Sequence, residues 1–357
     1  MHLPNFQFKS HRSRRALRRA VVALGALALA TLASVTPFAS HAAGPSSALT
    51  SATAALLSGR SDDAVAQLMQ VLAATPADDP AAGRAHLLLC RAYYAQSLAA
   101  PAVSECTAAL HTLSADSSAQ DWAGRAFGMQ AEDAGPITGL RLALKVRNAF
   151  KAAVRLDPSN GDAVNDLSEY YIDAPSIVGG GFDKAARLAD QSQQQLPQNA
   201  HRIRAMAAEK QKDYSTAERE FHAATSVANQ PGAWADLGAF YARRSQPDHA
   251  VDALSRAIAL DRAHTSTLVD AASTLTKIDR EPHLAERALR SYLASSSRSD
   301  AAPAFKVHVA LAKLLRDQGN TADAKIELEQ SLALASGYAP ARKELAAIEH
   351  PTTVAQR

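Results

Sequence analysis

Trp234-Ala235-Asp236-Leu237-Gly238-Ala239-Phe240-Tyr241, followed by Ala250, Leu254 and Ala257, is the stretch on which the reading of the fold turns. Leu237, Tyr241 and Leu254 are large and fall at helical spacing, so they form one apolar face. Gly238, Ala250 and Ala257 are small, which lets two helices approach closely along that face. Between the two runs, Arg243-Arg244-Ser245-Gln246-Pro247-Asp248 is polar and turn-forming. The segment therefore reads as one helical hairpin.

Moving outward, the same frame recurs at Ala64, Leu68 and Pro76, and again at Leu89, Tyr93, Ala102 and Ala109. It returns at Phe150, Ala153 and Pro158, at Leu167, Tyr171 and Ala185, at Ala217, Phe221 and Ala224, and at Leu311, Ala312, Leu315, Ala324 and Leu328. Prolines, read as closing second helices, keep the count: Pro197 to Pro231 is 34 residues and Pro158 to Pro197 is 39. The pattern resembles the tetratricopeptide repeat, W-x2-L-G-x2-Y…A-x3-F, with Leu254 in place of the Phe and Arg262 where Pro is usual. That resemblance implies an all-α, right-handed α-α superhelical solenoid of about eight hairpins. It would span 43–349, with its clearest repeats at 83–116, 161–197, 198–230, 231–264 and 305–338. Residues 265–301 rest only on Leu268, Ala272, Leu275 and Leu289, and Ala339–Ile348 reads as a last helix covering the open end.

The ends are expected to be something else. Lys9, Arg12, Arg14, Arg15, Arg18 and Arg19 precede the apolar run 20–35, with Ser40 and Ala42 at cleavage-site spacing, so 1–42 reads as a signal peptide cut after Ala42. The run is shorter than the roughly 20 residues of a spanning helix, so no stable anchor is expected and the remainder would be periplasmic or secreted. Residues 350–357 read as a frayed tail. Residues 1–42 hold six of the 38 basic residues and none of the 35 acidic ones, so the rest carries about −3. No basic stripe for nucleic acid is indicated.

Two insertions interrupt the period. In the third repeat the distance from Trp122 to Phe150 is 28 residues rather than 20, the excess lying around Asp133–Leu140. It reads as a lengthened helix or an enlarged Ala134-Gly135-Pro136 turn. In the fourth, Tyr170-Tyr171-Ile172-Asp173-Ala174-Pro175-Ser176-Ile177-Val178-Gly179-Gly180-Gly181 resembles a segment of some exported bacterial tetratricopeptide proteins and of the eukaryotic regulator-of-microtubule-dynamics type. The glycines match neither G-x-x-x-x-G-K-[ST] nor G-x-G-x-x-G, so a folded-back loop is expected, with Ile177 and Val178 plugging a groove and the glycines at φ > 0.

Cys90 and Cys106 face the inside of one hairpin, and a bridge across their 15 intervening residues would contribute on the order of 3 kcal/mol. Two buried thiols are the alternative. Twelve scattered histidines give no H-E-x-x-H or other metal spacing, and no nucleophile motif appears, so neither metal, cofactor nor catalysis is expected. The resemblance instead implies a concave face of first helices that grips a protein or peptide. By frame, its residues are Arg91, Tyr94, Phe127, Asn165, Glu169, Arg202, Glu209 and Arg243. A small ligand in the groove, as an accessory of a solute transporter or envelope complex, is the second reading. Replacing Arg91, Arg202 and Arg243 together is expected to weaken capture and leave thermal unfolding nearly unchanged.

Overall fold

The computed structural model describes residues 45–350, and its regular elements there are seventeen α-helices and one 3-10 turn, Ser176–Val178. Sixteen helices pair in chain order into eight hairpins. The first four are Pro45–Leu57 with Ser61–Ala74, Pro80–Ala95 with Ala99–Thr112, Ser117–Glu132 with Pro136–Leu156, and Gly161–Asp173 with Phe182–Ser192. The second four are Pro197–Lys210 with Tyr214–Ala228, Pro231–Arg243 with Pro247–Leu260, Thr267–Lys277 with Pro282–Ala294, and Ala304–Asp317 with Thr321–Leu334. Ala339–Glu349 packs on the eighth. This is the all-α solenoid expected. Residues 1–42, expected to be a signal peptide, and the tail past 350 lie outside the described residues.

Local chemistry sets the helix starts. Asp79, Asp116, Asn160, Asp213 and Asn320 cap their helices by accepting a backbone N–H two or three residues on. Pro197 and Pro231 do not close second helices. Each is the first residue of the next hairpin, where a missing N–H costs nothing.

The turn inside six hairpins repeats one device. Gly59, Ser97, Lys212, Ser245, Asp279 and Gly319 all have positive φ, between 52° and 84°. The N–H after each reaches back to close the helix, as Leu98 to the Tyr93 carbonyl and Gln246 to that of Tyr241, both at 2.9 Å. Only the third and fourth hairpins, which carry the insertions, lack it. Replacing Ser245 or Asp279 by glycine is therefore expected to stabilise the protein by about 0.5–1 kcal/mol each, read by denaturant unfolding.

Packing inside the hairpins is tight. A Cβ on Gly238 would stand 2.6 Å from Leu254, and one on Gly124 would collide with the Phe150 ring. Cys90 and Cys106 form the expected disulfide, with Cα atoms 5.1 Å apart. Three hairpins share a second tie, a histidine bonded to a glutamate 19 residues on: His86–Glu105, His201–Glu220 and His308–Glu327, at 2.6–2.8 Å.

Each first helix also touches the first helix of the following hairpin, while the second helices splay outward, so first helices line the inside of the curve. The curve closes on itself. The Ser336 N–H donates to Asp62 at 2.8 Å, and Arg91 Nε donates to Asp300 at 2.6 Å. A Cβ on Gly59 would lie 2.7 Å from Ala304 Cβ, and Ala95 shares an apolar cluster with Phe305 and Leu311 of the eighth hairpin. The first and second hairpins thus rest against the eighth and the connection before it.

Both insertions take definite form. In the third hairpin the excess lengthens helices, to 16 and 21 residues, about a short turn at Asp133–Gly135. In the fourth, Val178 is buried but Ile177 is 80% exposed, so only one of the pair plugs inward. Gly179 and Gly181 have φ of 96° and 148°; Gly180 is needed instead for space, since a Cβ there would collide with the Ala174 carbonyl. The Tyr170 hydroxyl donates to the Val178 carbonyl, and Lys184 Nζ donates to the carbonyls of Gly179 and Gly180. These bonds hold the loop to the outside of its own hairpin.

Candidate functional site

The inside of the ring is a continuous space with a mixed polar and apolar lining. One cavity of about 300 Å³ is lined from the third through the seventh hairpin, among others by Arg125, Asn165, Glu169, Arg202, Asp236 and Asp270. A second, of about 720 Å³, shares Arg202, Asp236, Ala239 and Lys277 with it. A third, of about 310 Å³, shares Arg125, Asp162 and Asp270 and reaches Arg91 and Asp300. Arg125 of the third hairpin and Asp270 of the seventh bound the same space, so the lumen is narrow.

Six of the eight residues expected on the inner face, Arg91, Asn165, Glu169, Arg202, Glu209 and Arg243, line its cavities. They do not stand free; they bond across adjacent hairpins. Arg202 Nη2 donates to Glu169 at 2.8 Å and its Nε to Asp236 at 3.1 Å. Arg243 grips Glu209 with two bonds of 2.7 Å, and Asn165 accepts from Asn199 at 3.0 Å. Arg91 holds Asp300 and lies 5.4 Å from the Trp122 ring centroid. Tyr94 packs edge-on against Trp122, and its hydroxyl is pushed up to about 12 by burial. Phe127, like Tyr94, lines none of the cavities. It packs against the clusters of its own and neighbouring hairpins, under Lys145 at 5.1 Å, because it occupies the core-facing position that Tyr241 holds in the sixth hairpin.

This pairing overturns the expectation that the arginines are dispensable for stability. The Glu169 side chain is 4% exposed, so removing Arg202 strands a buried carboxylate. Replacing the three arginines together therefore costs folding energy as well as any binding.

Sequence reading passed over a buried ionic group. Arg125 bonds Asp121 of its own helix at 3.0 Å and Asp166 of the next hairpin, and these side chains are 3–8% exposed. Burial, then the charge of Asp166, pushes the Asp121 carboxyl up to about 8, and Arg125 only partly offsets them. Asp166 is raised too, chiefly by burial. One arginine thus faces two carboxyls that share its charge. The signal was in the spacing: Glu169–Arg202, Arg202–Asp236 and Glu209–Arg243 are 33 or 34 residues apart, one repeat. Arg125–Asp166 is 41 apart, a repeat plus inserted residues.

Among the described residues no cluster of three or more His, Cys, Asp or Glu is arranged to hold a metal ion. No helix among them is long and apolar enough to cross a membrane.

No protein-family model and no curated protein matches the sequence. Among solved structures, yeast Tom70 is similar at TM-score 0.52 and 14% identity, over 88% of this chain and 66% of Tom70. A tetratricopeptide repeat protein from Parabacteroides merdae aligns at TM-score 0.44 and 13% identity, over 85% of this chain and 98% of its own. A thermophilic TPR protein of Thermus thermophilus aligns at 0.43 and 17%, over 65% and 100%. The hairpin frame and the likeness to Tom70 agree, and the described residues have the tetratricopeptide-repeat fold.

Proposed function

We propose that the chain is a non-catalytic scaffold that holds an extended segment of a partner protein in its lumen. The observation that carries this is the narrow, solvent-lined space running along the first helices of six consecutive hairpins. Its width suits an extended chain rather than a folded domain, and Asn165 and Asn199 offer amide groups suited to a peptide backbone. The cavity of about 300 Å³ is lined by five carboxylates and three cations and the larger one, of about 720 Å³, by three carboxylates and five cations, so the lumen offers both signs of charge to a polar segment. No residue of the 175–181 loop lines these cavities, which speaks against a small apolar ligand sealed in by that loop. Export to the periplasm or beyond belongs to the same reading, supported by the pattern of residues 1–42 and by a disulfide, which persists in oxidising compartments.

Photocrosslinking side chains placed at Asn165, Ala239 and Ser273 in the lumen, with Gln70 and Thr107 on outer helices as controls, test the proposal. Polypeptide adducts from the lumen positions alone are expected. Adducts only from the outer positions, or a small molecule retained in the lumen, would refute it.

A further inference from the structure

The two insertions meet on the outer surface. The 3-10 turn Ser176–Val178 packs on the helix Pro136–Leu156: Arg147 Nη1 donates to the Val178 carbonyl at 3.3 Å, and the Tyr170 hydroxyl bridges the carbonyls of Ala143 and Val178. On that helix Ile137, Leu140, Leu144, Arg147 and Lys151 recur at spacings of three and four, so they form one stripe. At the start of the helix this stripe projects large apolar side chains into water, and the turn and the helix after it add two more. Ile137 is 72% exposed and Ile177 is 80% exposed, with Leu140 and Phe182 partly so.

The same surface is rich in cations, with Asp183, next to Phe182, paired to Arg187 at 2.7 Å. The helix carries Arg141, Lys145, Arg147, Lys151 and Arg155 and no acidic residue. Among the described residues none of the five is paired with a carboxylate: Arg147 bonds Asn148 and a carbonyl, and Lys145 lies over Phe127. Beyond the turn, Lys151 and Arg155 join Lys184 and Arg187 around a groove of about 580 Å³ floored by Val154, Leu167, Tyr171 and Leu188. This concentration of cations runs against the balance of the chain past residue 42, which is about −3.

We propose that this face docks reversibly on an anionic lipid surface. Protruding apolar side chains insert into a layer; they do not receive a peptide. The five cations of the helix, none of them on a carboxylate among the described residues, complement lipid phosphates, each contributing about 1 kcal/mol near such a surface. The site is separate from the lumen, so its test does not depend on the scaffold reading.

Sedimentation of the full chain with phosphatidylcholine vesicles, with and without phosphatidylglycerol, decides the matter. Binding is expected only with the anionic lipid and weakens with salt. Replacing Arg141, Lys151 and Arg155 by glutamine should reduce it about a hundred-fold, roughly five-fold per cation. The double variant Ile137→Ser with Ile177→Ser, at exposed positions that leave folding intact by circular dichroism, should weaken it about ten-fold or more. Equal partition of all variants, equal binding to neutral vesicles, or no vesicle binding while an acidic peptide occupies the Lys151–Arg187 groove would each overturn the proposal.

Discussion

Replacing Arg125 by methionine is expected to lower the free energy of unfolding by about 3–5 kcal/mol, because it leaves Asp121 and Asp166 buried without their shared counter-charge. The loss should depend on pH, and the sign follows from the carboxyls. Asp121 is raised from 3.8 to about 8 in the folded chain, so the folded state holds a proton that the unfolded state has released between those values. Its favourable contribution is complete below about pH 4 and is lost as pH rises through about 8. Wild-type protein should therefore gain stability on acidification through that window, and the methionine variant should be most damaged on the alkaline side. Asp121→Asn is the control: it keeps one carboxylate for Arg125 and should flatten the pH dependence. Urea unfolding across the window measures all three; a pH-independent loss for the methionine variant would show that packing rather than charge is responsible.

Gly59→Val is expected to cost about 3–4 kcal/mol and to open the ring. Gly59 sits at φ 82°, where a β-branched residue pays about 1–2 kcal/mol. Its Cβ would also meet Ala304 Cβ at 2.7 Å and Ala304 N at 2.8 Å, a close contact worth about 1–3 kcal/mol. The two costs can be separated. Gly319→Val carries the same backbone strain at φ 84°, and a Cβ there meets nothing within 4 Å. Small-angle scattering should show a larger radius for Gly59→Val alone; equal radii in the two variants would mean that this contact does not hold the ring shut.

Much of this was legible because a repeat reports each structural need several times. Leu237, Gly238, Tyr241, Ala250 and Leu254 each have one packing job, and the frame they set predicts every hairpin, including the weakly supported seventh. The Cys90–Cys106 bridge followed from the same frame. What the frame hid was conformation without a diagnostic residue: the left-handed turn is glycine at 59 and 319 but serine, lysine or aspartate elsewhere. The His–Glu ties leave no mark at the short spacings of a single helix, because the partners lie 19 residues apart on the two helices of a hairpin. Arg91–Asp300 spans 209 residues and is set by overall curvature, which no local pattern encodes.

Closure also changes how the molecule should come apart. An open stack frays from its ends, since a terminal repeat has one neighbour and its amides exchange fastest. Here the turn at Gly59–Asp62 has the second hairpin on one side and the eighth on the other, so the first hairpin loses the terminal disadvantage. The Asp62–Ser336 contact joins residues 274 apart, and its loop-closure entropy is repaid only once the intervening hairpins have formed. It should thus be the last contact made in folding and the first released, and slow amide exchange should extend into the first hairpin only while that contact holds.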